Sequence, residues 1–184
     1  MKIRIKTPII ASVAILAMMA FVPARSAKYR CEDKNHKPSG YYIVVDKSDY
    51  ELKVYDEEGW YATYPIVFGT KDTADKMFEG DKKTPNGSFK IIYKKIHPKW
   101  GPEMLLDYPT SENLQLYNER KAKGLIPANK GVGAGIAIHA TRPQEEWTVD
   151  NFYNWTDGCV SVKYSEMKDL FTYIPVGTRV IIQP

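Results

Sequence analysis

Apolar positions along this chain follow two different rules. Near the start they form one run, Ile9 to Val22, interrupted only by Ser12. Lys2, Arg4 and Lys6 precede the run, and Pro23-Ala24-Arg25-Ser26-Ala27 follows it. A basic head, an apolar middle and small residues two apart are the pattern of a secretory signal, with cleavage expected after Ser26. The 14 residues of the run fall short of the roughly 20 that a spanning helix needs. An uncleaved membrane anchor is the alternative. Residues 27–40 are polar and without period, and they read as a mobile N-terminal stretch.

From residue 41 onward the rule becomes alternation, and the expectation is one domain over 41–184. Tyr41 to Val45 is aromatic and β-branched, Leu52 to Tyr55 alternates, and Trp60 to Phe68 forms a third run that closes at Gly69. The turns Asp46-Lys47-Ser48-Asp49 and Asp56-Glu57-Glu58-Gly59 separate them, so the spacing predicts an antiparallel meander. Thr70 to Lys83 reads as a charged loop. Thr84-Pro85-Asn86-Gly87 reads as a turn leading into the strand Ser88 to Tyr93. Helix formers fill Thr110 to Gly124, with Ser111 as N-cap and Gly124 at the stop. Trp100 to Pro127 as a whole reads as an insert, either a lid or a capping helix. Short strands follow at Gly135–His139 and Val160–Val162. Ser165 to Ile174 is a helix with Met167, Leu170, Phe171 and Ile174 on one face, and Thr178 to Ile182 is the last strand. The fold class is mostly β, with one or two peripheral helices.

Removing the signal changes the charge. All four charges in residues 1–26 are basic, and their loss leaves 22 Lys and Arg against 22 Asp and Glu. A formally neutral chain gives no reason to expect nucleic acid or an anionic membrane as partner. The expected product is a monomer in the periplasm or cell envelope, without stable membrane insertion once the signal is removed.

Two cysteines are present, Cys31 and Cys159. In an exported chain they could form a disulfide. The other reading is chemical. A thiol attacks as thiolate, so a catalytic cysteine needs a base within reach and backbone donors for the oxyanion. Asp157-Gly158-Cys159 supplies a tight turn before a strand, and His139 ends another strand. Arg142, Trp147 and Trp155 lie in the loop between them and could cover a peptide ending in a carboxylate, which Arg binds bidentately; alternatively, the two Trp residues simply pack the loop down. His36 and His97 read as surface residues. No histidine sits in a metal-ligand pattern, and no cofactor is expected.

The stretch His139 to Val162 resembles the active-site signature of the L,D-transpeptidases with a YkuD-type catalytic domain: a His, a gap, then Ser/Thr-His-Gly-Cys and an apolar residue. Here that reads His139, sixteen intervening residues, then Thr156-Asp157-Gly158-Cys159-Val160. Lys83 to Phe89 resembles the family's Thr-Pro-x-Gly-x-Phe element. Ile43 to Asp46, Leu52 to Tyr55 and Pro175 to Val180 are similar to its opening and closing strands. The resemblance implies a β-rich catalytic domain acting on peptidoglycan stem peptides, with Cys159 as nucleophile and His139 as base. It also implies Gly158 and Cys159 N–H groups as oxyanion donors, Thr156 as a local hydrogen-bonder shaping the turn, and capture of Cys159 by carbapenems.

Three positions depart from the motif: Asp157 replaces its second His, Ser161 stands where Arg or Asn is frequent, and Ala140 stands where Gly is frequent. A carboxylate beside the nucleophile disfavours thiolate unless it points outward or meets a cation such as Arg142 or Lys163. Transfer to an amine, hydrolysis by the same acyl-enzyme, and a catalytically silent wall-binding module are the functions that remain open.

Overall fold

The computed structural model describes residues 40–184. The expected signal at 1–26 and almost all of the stretch at 27–40, with Cys31 and His36, lie outside the described residues.

Period-two alternation builds the framework. Eight strands are present: β1 (Tyr42–Asp46), β2 (Glu51–Asp56), β3 (Gly59–Val67), β4 (Gly87–His97), β5 (Gly101–Leu106), β6 (Ala137–Ala140), β7 (Val160–Val162) and β8 (Arg179–Gln183). They close into a barrel in the order β1-β2-β3-β7-β6-β5-β4-β8. Because successive side chains point to opposite faces, each strand sends one set inward. Ile43 and Val45, Leu52 and Val54, Ile66, Phe89 and Ile91, Met104 and Leu106, Ile138 and Ala140, Val160 and Val162, and Val180 and Ile182 make one continuous core. Closure leaves no sheet edge to protect.

The meander β1-β2-β3 is antiparallel, as the turns predict. Two pairs are parallel, β1 with β8 and β6 with β7. The second of these carries the residues of chemical interest.

Three α-helices occur among the described residues, where one or two were expected: α1 (Ser111–Ala122), the short α2 (Trp147–Asp150) and α3 (Tyr164–Tyr173). Thr110, not Ser111, caps α1. Its side chain accepts from the Asn113 N–H while Asn113 bonds back to the Thr110 backbone, a reciprocal pair that satisfies two orphan donors. No residue of α1 is buried. On α3, Met167 and Leu170 are buried and, with Ile174, join the core. Ser165 is not its cap, because the helix begins one residue earlier and follows Lys163.

The main correction concerns the insert at 100–127. Gly101–Leu106 is neither lid nor capping helix but a barrel strand, pairing with both β4 and β6. A Gly-Pro start and a central Glu103 hide it from pattern reading. Pro102 removes one donor from the ladder, but the residue is buried with Glu103 and Met104 inside the sheet.

The loop from Thr70 to Asn86 is tied down by Lys47, which is fully buried at the end of β1. Its ammonium donates to the carbonyls of Thr73 (2.6 Å) and Thr84 (3.2 Å). Burial pushes the Lys47 pKa down to about 8, against the opposite pull of Asp75 and Asp72. Between that value and the ordinary lysine value near 10.5 the unfolded chain binds the extra proton, so this group makes stability rise with pH across that window. Below it both states are protonated and the contribution is flat. The urea midpoint of Lys47→Met is expected to lack the component of this rise between pH 8 and pH 10 that the wild-type protein shows. Parallel pH profiles for the two proteins would refute the assignment.

Candidate active site

Strands β6 and β7 run side by side in parallel, with Ile138 opposite Val160, His139 opposite Ser161 and Ala140 opposite Val162. Residues directly opposite share a face, and alternate residues on a strand share a face. Since Ile138, Ala140, Val160 and Val162 point into the core, His139, Ser161 and Cys159 all point the other way. Standard strand spacing sets the Cα atoms of His139 and Cys159 about 8 Å apart on that face, within joint reach of an imidazole and a thiol.

The turn before Cys159 is braced by Thr156. Its hydroxyl donates to the Cys159 carbonyl (2.7 Å) and accepts from the Gly158 N–H (3.2 Å). The expectation that Thr156 shapes the turn is consistent with these bonds. They also engage the Gly158 N–H, so its expected pairing with the Cys159 N–H as oxyanion donors requires that bond to open.

Gly158 has φ +129, and a Cβ there would lie 2.7 Å from the Lys83 carbonyl oxygen. Behind it, a Cβ on Gly69 would lie 1.7 Å from the Lys82 carbonyl oxygen. The Lys82–Thr84 backbone therefore threads between two glycines that cannot be enlarged, and Gly69 N–H also donates to Thr84 Oγ1 (3.3 Å). The same Thr84 carbonyl is held by Lys47. Lys47, Gly69 and Thr84 thus form the wall behind the cysteine turn. Sequence reading places Thr84 in a family element, Lys47 in a turn and Gly69 at the close of a strand, and gives none of them a part in the site.

Cys159 is a free, half-buried thiol. It donates to the Gly135 carbonyl at 3.5 Å. Burial pushes its pKa up to about 11; the Ala137 N–H works against this, and the Glu103 and Asp157 carboxylates add to it. At neutral pH this thiol keeps its proton and needs a base to attack.

His139 has the properties of that base. It is 5 % exposed, and its Nδ1 lies 2.9 Å from the Ala140 carbonyl. A carbonyl only accepts, so Nδ1 carries the hydrogen and Nε2 presents a lone pair. Burial holds the imidazole pKa below its ordinary value, while the Ala140 bond and Glu103 pull it back up. The ring is neutral at pH 7.

Aromatic rings enclose it. Trp155 meets His139 edge-on at 5.4 Å between centroids, Trp100 lies at 5.8 Å, and the two indoles are 5.0 Å apart. Arg142 sits over Trp100 at 5.2 Å and pairs with Glu145 at 2.7 Å. The Nε1 of Trp155 is buried without a protein hydrogen-bond partner.

The remaining expected site residues separate from this group. Trp147 is half exposed on α2, where it packs on Tyr153 at 5.7 Å. Ser161 is fully buried between Val67 and His139 in the sheet; it floors the site and has no open surface to offer a ligand. Asp157 does point outward, with a side chain 89 % exposed, and the cation it approaches is Lys82 at 3.9 Å. Arg142 is engaged by Glu145, and Lys163 by Asp150.

Glu103 and Trp100 went unnoticed as site residues because β5 went unnoticed. Glu103 lies directly opposite His139. Among the described residues no cluster of His, Cys, Asp and Glu is arranged to hold a metal ion, and no helix is long and apolar enough to cross a membrane.

Thr156→Val removes both bonds of a buried hydroxyl. It is expected to lower stability by about 1–3 kcal/mol and to slow alkylation of Cys159 by iodoacetamide. Wild-type values in both urea denaturation and alkylation rate would contradict the bracing role.

Residues 40–182 match the family model described as the L,D-transpeptidase catalytic domain. The chain is 28 % identical over 150 residues to YqjB of Bacillus subtilis (strain 168), a protein itself assigned only provisionally as an L,D-transpeptidase; the match covers 81 % of this chain and 74 % of that one. Among solved structures, Bd1075 of Bdellovibrio bacteriovorus superposes with a TM-score of 0.53 at 27 % identity, over 78 % of this chain and 47 % of that one. The helical cell shape determining protein Pgp2 of Campylobacter jejuni superposes with a TM-score of 0.57 at 24 % identity, over 77 % and 46 %. The chain spans about half the length of these two solved relatives.

Proposed function

The chain belongs to the L,D-transpeptidase catalytic domain family, and from that premise we propose that it is an exported enzyme acting on peptidoglycan stem peptides, with Cys159 as nucleophile and His139 as base. Export is argued from the signal pattern in residues 1–26. The observation that carries the catalytic reading is the parallel register of β6 and β7, which gives His139 and Cys159 one face of the sheet and leaves Nε2 as the free lone pair.

The chemistry follows from that arrangement. His139 Nε2 takes the thiol proton as Sγ attacks the carbonyl of the third, L-configured centre of a donor tetrapeptide. The carbonyl oxygen becomes an oxyanion beside the Cys159 N–H. Collapse breaks the C–N bond, the imidazolium returns its proton to the amine, and D-alanine leaves. A side-chain amine of a neighbouring stem then attacks the thioester, the S–C bond breaks, and a 3–3 cross-link forms. A thiol raised to about 11 beside a neutral imidazole favours proton transfer concerted with attack over a standing thiolate.

Hydrolysis is the second reading, favoured by the departures at Asp157 and Ser161. It shares every step up to the thioester, which water then opens.

Incubation with disaccharide-tetrapeptide muropeptides, with products identified by mass, tests the proposal. Expected are D-alanine and 3–3 linked dimers, both absent with Cys159→Ala and reduced by at least about 10²-fold with His139→Ala. Tripeptides without dimers would assign the hydrolase. Unchanged muropeptides would leave the silent wall-binding module, and full activity in Cys159→Ala would remove Cys159 as the nucleophile.

A further inference from the structure

Across the barrel wall runs a row of directly opposed residues: Lys95 on β4, Glu103 on β5, His139 on β6, Ser161 on β7 and Val67 on β3. Each pair is in register, so all five side chains emerge on one face. Adjacent Cα atoms in such a row are about 5 Å apart. Glu103 is 8 % exposed. Its carboxylate meets the Lys95 ammonium at 3.2 Å, and that lysine side chain is itself 41 % exposed.

A buried carboxylate normally requires full pairing. Here the paired cation is partly solvated and on the far side, and the near side is His139. We infer that Glu103 is a positioning residue for His139, a buried counter-charge that stabilises the imidazolium formed when the imidazole takes the Cys159 proton, with Lys95 moderating its strength. This rests on the reading of His139 as the base.

The need for such a group follows from burial. The ring is 5 % exposed, so its cation has little water to solvate it and Nδ1 reaches only the Ala140 carbonyl. The other charged and titratable groups facing it do not supply a fixed negative charge. His97 ends β4 and Trp100 lies in the turn to β5, and His97 opposes the cation. Trp155 and Arg142 come from the loop above, and Arg142 is bound to Glu145. Cys159, immediately before β7, is the proton donor, and Ser161 on β7 is neutral. Asp157 carries a charge but is 89 % exposed beside Lys82. Glu103 is the buried anion of the set. Its cost is visible at the sulfur, where the same charge helps keep the resting thiol protonated. The carboxylate therefore favours the transferred proton on nitrogen without releasing a free thiolate beforehand.

Glu103→Gln keeps shape and hydrogen-bonding capacity but removes charge, and Lys95→Met removes the moderating cation. Two measurements on the full chain read the effect: the His139 imidazole titration by NMR, and the pH profile of iodoacetamide alkylation followed by mass at the peptide containing Cys159. Expected is a fall in the His139 pKa of about one pH unit in Glu103→Gln and a rise in Lys95→Met. Alkylation at pH 7 falls in Glu103→Gln by less than the roughly tenfold that one pH unit represents, because the thiol is relieved of the same charge, with partial recovery in Glu103→Asp. A merely structural ion pair would give two variants that lose stability together and leave the His139 titration in place. An unchanged His139 pKa in folded Glu103→Gln overturns the inference. If that variant does not fold, an unchanged pKa in Lys95→Met does so. Should His139→Ala alkylate as fast as wild type, the base assignment itself fails, a result separate from any of these.

Discussion

The parallel pairing of β6 with β7 is the constraint on which the rest of the structure depends. A parallel pair cannot be joined by a tight turn, so a long excursion must separate the two strands. Residues 141–159 make that excursion, carrying a 3-10 turn at Pro143–Glu145, the α2 helix and Trp155, and they return directly onto Cys159. The pairing thus determines both the shared face of His139 and Cys159 and the existence of a covering loop between them. Because the two strands lie inside a closed barrel with cores on their opposite face, a one-residue slip would turn Val160 and Val162 outward and place Ser161 in the core. Register is held by hydrophobic burial, and the site inherits its accuracy from that.

Behind the cysteine, accuracy comes from close backbone approach. Gly69 and Gly158 sandwich the Lys82–Thr84 backbone at distances no Cβ would permit, Thr156 closes the turn, and Lys47 fastens Thr84 from beneath. The buried lysine gives up part of its proton affinity to do so. In front, burial does chemical work of opposite sign on the two partners. It raises the thiol and lowers the imidazole, so both are neutral at rest and ready for transfer of one proton. In the mechanism we propose, Glu103, entering from β5, acts on the charged state that follows that transfer.

Much of this was legible in the sequence where alternation was strong. The meander, the strand at Val160–Val162 and the buried face of α3 follow from period alone, and the resemblance to the L,D-transpeptidases rested on a histidine, a gap and Gly158-Cys159. Legibility ended where one residue served two purposes. Gly101-Pro102-Glu103 reads as a turn with a charge, yet it opens a barrel strand whose carboxylate lies beside His139. Ser161 reads as a substrate contact from its place two residues after Cys159 in the motif, yet both sheet faces are covered there and it is buried. The carboxylate of Asp157 is expected to disfavour thiolate unless it points outward or meets a cation such as Arg142 or Lys163. It points outward near Lys82, brought close by a loop whose path depends on two glycines and a lysine distant in sequence. It still helps to raise the thiol. Trp147 and Trp155 looked equivalent by position in the loop; their separation depends on the helical turn between them, which period cannot reveal over four residues.

A crystal structure of the protein acylated on Cys159 by a carbapenem tests the account at its centre. Expected there are an Sγ that has left the Gly135 carbonyl, an adduct lying under Trp155, and His139 Nε2 facing the thioester within about 4 Å, directly or through one water. An adduct on Cys159 with the imidazole turned away and sealed behind Trp100 and Trp155 would contradict it, as would a protein that stays unmodified with an accessible thiol.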